Sequence, residues 1–187
     1  MASGCIPHQV NARAASALSE LSAHNPANQS AAAQAGGIAP FVALLQGTCM
    51  TRESRGWLLC TRLACKCSPQ RAPSCLEGDA AESAKKAAAS ALWSFSANHA
   101  ENQAAIAEAG GLAPLVALLG VGGAETQLQA AGALAAIALD NPQNQSTIAT
   151  MLVQLLTAPD TPTRTKASRA ISNLARAHTS NQEALAK

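Results

Sequence analysis

Apolar positions along the chain recur at helical spacing, and the recurrence comes in blocks. Ala84, Ala88, Ala91, Leu92 and Phe95 fall three or four residues apart, the stripe of a helix over 79–97. The long pattern returns over 124–139 and 160–177, and an earlier copy occupies about 9–22. Shorter patterns lie between them. A first short helix is expected over 102–109, closed by Gly110-Gly111, because glycine takes the left-handed backbone that ends a helix. A second is expected from Leu112, with Pro114 in its first turn, where a missing N–H costs nothing. Leu115, Val116, Leu118 and Leu119 make that helix almost wholly apolar. Each block therefore reads as three helices.

The blocks are copies of one unit. The pair Asn-Gln recurs at Asn28-Gln29, Asn102-Gln103, Asn144-Gln145 and Asn181-Gln182, at separations of 74, 42 and 37 positions. The eighteen residues from Asn28 and from Asn102 are nearly superimposable. The short separation follows from a missing Glu-Ala-Gly-Gly turn, since Val153 follows Asn144 by 9 residues where Val116 follows Asn102 by 14. The long one contains 31 extra residues, 48–78, whose removal restores a period of about 42. The expected organisation is a single array over 1–187. It comprises a partial repeat (9–22), a repeat interrupted by the insertion (27–97), a complete repeat (101–139), a shortened one (142–177) and the start of a truncated one (180–187). No unit can bury its apolar face alone; stacking builds the core.

Two phrases carry a family resemblance: Ala109-Gly-Gly-Leu-Ala-Pro-Leu-Val-Ala-Leu-Leu119 and Ala87-Ala-Ala-Ser-Ala-Leu-Trp-Ser-Phe-Ser96. The chain resembles the armadillo-repeat family, as found in the arrays of importin-α, β-catenin, vacuolar adaptors and plant U-box ligases. The resemblance implies an all-α, right-handed armadillo-repeat solenoid of three to four three-helix repeats with a 31-residue irregular insertion. It implies a non-enzymatic scaffold that binds an extended partner segment along a concave face lined by the third helices. The alternatives it carries are the substrate-recognition part of a ubiquitin-ligase chain and an importin-α-like nuclear transport adaptor. Importin-α-like proteins place Trp-Asn pairs on that face; the matching positions here are Ser19-Glu20, Trp93-Ser94, Ala135-Ala136 and Ser172-Asn173, so the amide ladder is broken.

Helical spacing puts Lys166, Arg169, Asn173 and Arg176 on one stripe of the last third helix. The same columns hold Arg13, Ser16 and Glu20 in the first and Ser90 and Ser94 in the second. Two guanidinium forks on a stripe favour carboxylates or phosphates, which points to an acidic or phosphorylated protein or peptide partner. The competing reading is that these cations complement a helix C-terminus and keep an alanine-rich surface soluble. Trp93 reads either as an interface anchor or as packing against the adjacent repeat or the insertion.

Composition narrows the function classes. Among 187 residues there are 45 alanines, two Phe, two Trp and no Tyr, and the net charge is +2. That balance argues against a nucleic-acid partner. No apolar run has bilayer length and the N-terminus shows no secretory pattern, so no membrane insertion and a cytoplasmic or nuclear location are expected. His8, His24, His99 and His178 read as lead-in or loop residues with no nucleophile aimed at them, and Gly120–Gly123 lacks the Lys-Ser/Thr of a phosphate loop. No catalytic residue and no cofactor are expected.

The insertion differs from its surroundings. It holds Cys49, Cys60, Cys65, Cys67 and Cys75, five of the six cysteines. Cys60, Cys65, Cys67 and Cys75 are the candidate metal ligands, but they lack paired C-x2-C knuckles, and no metal is expected. Disulfides are not expected without a secretory signal. The segment reads as a surface loop between second and third helices with a short helix near 57–65, or as a retained intron, alternative exon or gene-model error. The pattern begins on a third helix and ends within a first, which leads to the expectation of a longer array, self-association or completion by further repeats.

Overall fold

The computed structural model describes residues 8–47, 49–53, 56–60 and 79–157, together with Thr161, Arg164, Thr165 and Ser168. Its helices are α1 (His8–Ser22), α2 (Pro26–Gln34), α3 (Ile38–Leu45), α4 (Asp79–Ser96), α5 (Ala100–Glu108), α6 (Leu112–Val121), α7 (Ala124–Ala138) and α8 (Pro142–Leu156). Two strands, β1 (Cys49–Glu53) and β2 (Gly56–Cys60), lie between α3 and α4.

The same local chemistry starts each block. Asn25, His99 and Asn141 precede α2, α5 and α8, and each accepts a hydrogen bond from the backbone N–H three residues on, satisfying a donor the helix cannot. The residue before each cap, His24, Asn98 or Asp140, has a φ of 57°, 55° or 54°, so the chain turns sharply between third and first helices. The Gly-Gly pairs divide two tasks. Gly110 supplies a φ of +77°, and Gly111 supplies room, since a Cβ there would stand 2.8 Å from Ile106 Cγ2. Where the sequence lacks this turn, the structure has one continuous helix, α8, in place of a first and a second.

Packing is side by side. Helix α4 lies between α1 and α7, with α3 against α4 and α6 against α7. Alanines 84, 88, 91, 130 and 131, all essentially inaccessible, let the third helices approach closely. Around them Leu92, Phe95, Ile106, Leu115, Leu119, Leu134 and Ile137 are fully buried. The rings of Phe41 and Phe95 meet edge to face at 5.6 Å and 64°. Leu21, Phe95 and Ile137 occupy the same third-helix position, yet Leu21 is exposed, because among the described residues no helix precedes α1 to cover it.

The insertion corrects the sequence expectation. Instead of a loop with a short helix near 57–65, residues 49–53 and 56–60 pair antiparallel, in the register Cys49↔Cys60 through Glu53↔Gly56. A run as short as Gly56-Trp-Leu-Leu-Cys60 has no decisive periodicity, and a neighbouring strand satisfies its backbone groups where an isolated helical turn would not. The rest of the insertion lies outside the described residues.

Candidate partner-binding face

The third helices α1, α4 and α7 pack side by side, and six of the sequence-predicted residues lie on α1 and α4 within the described residues. Arg13, Ser16 and Glu20 are exposed on α1; Ser90 and Ser94 are half-buried on α4. Trp93 is 39% exposed. Lys166, Arg169, Asn173 and Arg176 lie outside the described residues.

Ser90 and Ser94 are already engaged within the protein. Ser19, buried on α1, has its hydroxyl 2.8 Å from Ser94 Oγ and 3.1 Å from Ser90 Oγ, and it donates to the Ser90 carbonyl at 3.2 Å. The cluster ties α1 to α4. Ser19 shares the column of Trp93, and the column pattern carries no sign of a contact across more than 70 residues.

Trp93 packs on the neighbouring repeat. Its indole lies over Gly132 of α7, so close that a Cβ on that glycine would stand 2.6 Å from Cε3 and 2.8 Å from Cδ2. Gly132 thus creates the seat for the ring. Ala135 and Ala136, further along α7, are buried, and exposed Leu128 lies one helical turn before Gly132.

The Asn-Gln pairs, which marked the repeat, serve as latches. Asn102 Nδ2 donates to the Phe95 carbonyl at 2.9 Å and to the Gln29 carbonyl at 3.3 Å. Asn144 repeats this with Ile137 (3.1 Å) and Gln103 (3.4 Å). Gln29 Nε2 reaches forward to the Ser94 carbonyl at 2.8 Å, and Gln103 Nε2 to Ala136 at 3.0 Å. Asparagine therefore holds the preceding repeat, and glutamine the third helix of its own repeat. The first junction is less complete: Ser22 Oγ and Gln29 Oε1 are buried without a hydrogen-bond partner, whereas Ser96, at Ser22's position, donates to the Trp93 carbonyl.

His99 is not the solvated loop residue expected from sequence. Its Nδ1 accepts from the Asn102 amide at 3.4 Å, and its Nε2 is 2.7 Å from Ser30 Oγ on α2. With Nδ1 accepting, Nε2 carries the hydrogen and donates to the serine. His24 is exposed in the left-handed turn, and His178 is outside the described residues. Glu82 links α4 to the start of α7, where its Oε1 accepts from the Gly123 amide at 2.8 Å. Burial alone pushes the Glu82 carboxyl up, but the hydrogen bonds from Thr126 and Gly123 and the charge of Lys85 outweigh it and hold it below its ordinary value. Lys86 and Glu125 form a 3.1 Å ion pair between the same helices.

Among the candidate metal ligands Cys60 is in β2, and Cys65, Cys67 and Cys75 lie outside the described residues. Among the described residues no three His, Cys, Asp or Glu side chains cluster for a metal, and no single helix is long and apolar enough to cross a membrane.

Residues 99–138, the unit built by α5, α6 and α7, match the family model described as the armadillo/beta-catenin-like repeat. Among solved structures, a designed armadillo repeat protein superposes with a TM-score of 0.55 at 24% identity, over 88% of this chain and 58% of its own. An engineered protein superposes with a TM-score of 0.56 at 24% identity, over 91% and 59%. A further designed armadillo repeat protein, solved in complex with the peptide (KR)4, gives 0.50 at 22% identity, over 91% and 60%. The chain spans less than two thirds of each of these structures. No curated protein matches it. Residues 99–138 thus match the armadillo/beta-catenin-like repeat, and the chain shares the all-α solenoid fold of the designed armadillo repeat proteins it superposes on.

Proposed function

We propose that the chain is a non-enzymatic protein-interaction scaffold whose third-helix face holds an extended segment of a partner. The observation that carries this is Trp93, with one side of the indole seated on Gly132 and 39% of the residue open to solvent. A large rigid side chain held this way offers contact area at little further entropic cost, the character of an interface anchor. The designed neighbour in complex with (KR)4 supports a peptide as the kind of ligand the architecture takes. The chemistry of that segment here is a separate matter, because 22% identity carries the fold alone. We read it as acidic or phosphorylated, on the strength of Lys166, Arg169 and Arg176 at helical spacing in the sequence and of exposed Arg13 on α1. An array of acidic, phosphorylated and lysine-rich peptides, probed with wild type, Trp93→Ala and Arg169→Ala, tests both parts. Binding weakened at least about tenfold by Trp93→Ala supports the face. Preference for lysine-rich peptides, unaffected by Arg169→Ala, overturns the acidic reading; binding indifferent to Trp93→Ala overturns the face.

A further inference from the structure

We propose that Cys49 and Cys60 form a thiol–disulfide site that closes the inserted hairpin, with glutathione disulfide as its oxidant. The strand register carries the inference. Cys49 and Cys60 are directly opposed at one end of the β1–β2 ladder, the end adjoining α3. Directly opposed residues of antiparallel strands share a face, with Cα atoms about 4.5–5.5 Å apart. Disulfides span Cα separations of about 4.4–6.8 Å, a range that includes directly opposed positions.

The hairpin also has a physical need for it. A two-stranded ladder of five residue pairs is marginally stable by itself in water, and a crosslink at its open end restricts the unpaired ensemble. The chemistry balances with one named co-reactant. One cysteine thiolate attacks glutathione disulfide, forming a mixed disulfide and releasing one glutathione thiolate. The second cysteine thiolate then displaces the other glutathione. The S–S bond of the oxidant is broken, that of the protein is formed, and two electrons and two protons leave the protein in two molecules of glutathione. The absence of a secretory pattern argues against a permanent disulfide framework, not against a bond that follows the surrounding thiol–disulfide ratio.

Register and random closure predict different partners. If the segment had no preferred pairing, Cys60 would close the shorter loop with Cys65 in preference to the longer one with Cys49. The sequence makes the pairings separable, because trypsin places every cysteine in its own peptide. Cys5 falls in 1–13, Cys49 in 14–52, Cys60 in 56–62, Cys65 in 63–66, Cys67 in 67–71 and Cys75 in 72–85. The full chain is equilibrated in glutathione buffers from reducing to oxidising, alkylated with iodoacetamide and digested without reduction. Peptides 14–52 and 56–62 joined in about tenfold excess over any other pair is the expected result, and Cys49→Ser abolishes the joined species. Cys60 joined mainly to Cys65, Cys67 or Cys75, an even mixture of pairs, or a chain that stays reduced under glutathione disulfide would each overturn the proposal. So would undiminished cross-linking of 56–62 in Cys49→Ser.

Discussion

The edge where one block turns into the next and the face of the third helices are built from the same unit but on opposite rules. At the edge the residues repeat: Asn102 and Asn144 make matching pairs of backbone hydrogen bonds, and Gln29 and Gln103 reach matching carbonyls on α4 and α7. Along the third helices the residues do not repeat: in one column Trp93 is exposed, whereas Ser19 and Ala135 are buried. Groups that join every repeat to the next are constrained by a geometry that recurs, so they recur with it. The column of Trp93 shares no such recurring contact, and nothing in the fold holds its residues alike.

The comparison can be broken at the edge first. Asn102→Ala leaves the Phe95 and Gln29 carbonyls, both in the interior of a junction, without their donor. The expected loss is about 2 kcal/mol in urea unfolding. A loss near zero would mean that the latch is ornamental. Gly111→Ala puts a methyl 2.8 Å from Ile106 Cγ2 and 3.2 Å from Val42 Cγ2. A cost of about 1–3 kcal/mol is expected, measured in the same way. His99→Ala removes an N-cap and should cost about 1 kcal/mol, while His99→Asn, which copies Asn25 and Asn141, should recover most of it. If the asparagine variant is no better than alanine, the bond to Ser30 outweighs the cap.

The smallest effect concerns pH. The lowered pKa of Glu82 means that folding favours its charged form. Its contribution is therefore complete above the unfolded glutamate value of about 4.3 and disappears as pH falls through the lower folded value. Thermal melts of wild type and Glu82→Gln should differ near neutrality and converge below about pH 4. The margin is modest, since Glu82 is only half-buried. A gap that widens in acid would contradict the hydrogen bond to Gly123.

Helical periodicity and the Gly-Gly turns made α4 to α7 legible in the sequence, because apolar residues three or four apart over a long window share a face only when the backbone is helical. Where the sequence lacks the turn before Val153, the structure has the single helix α8. The Asn-Gln pairs were visible as markers, yet their role depends on carbonyls of neighbouring repeats and was not. His99 escaped for a related reason: histidine is not a usual N-cap, and only the correspondence with Asn25 and Asn141 could have revealed it. Ser19 was hidden because its partners are chosen by how α1 and α4 pack. The β1–β2 hairpin was missed because five apolar or mixed residues suit a strand and a helical turn equally well.

The most direct test sets one residue of each region against the other, with unfolding free energy and affinity for an array-selected peptide measured on the same proteins. Asn102→Ala should lose about 2 kcal/mol of stability and keep its affinity under folding conditions, whereas Trp93→Ala should stay within about 1 kcal/mol of wild type and bind at least about tenfold more weakly. Trp93→Ala that unfolds as readily as Asn102→Ala while holding the peptide undiminished would make the tryptophan a piece of the stack and leave the third-helix face without its anchor.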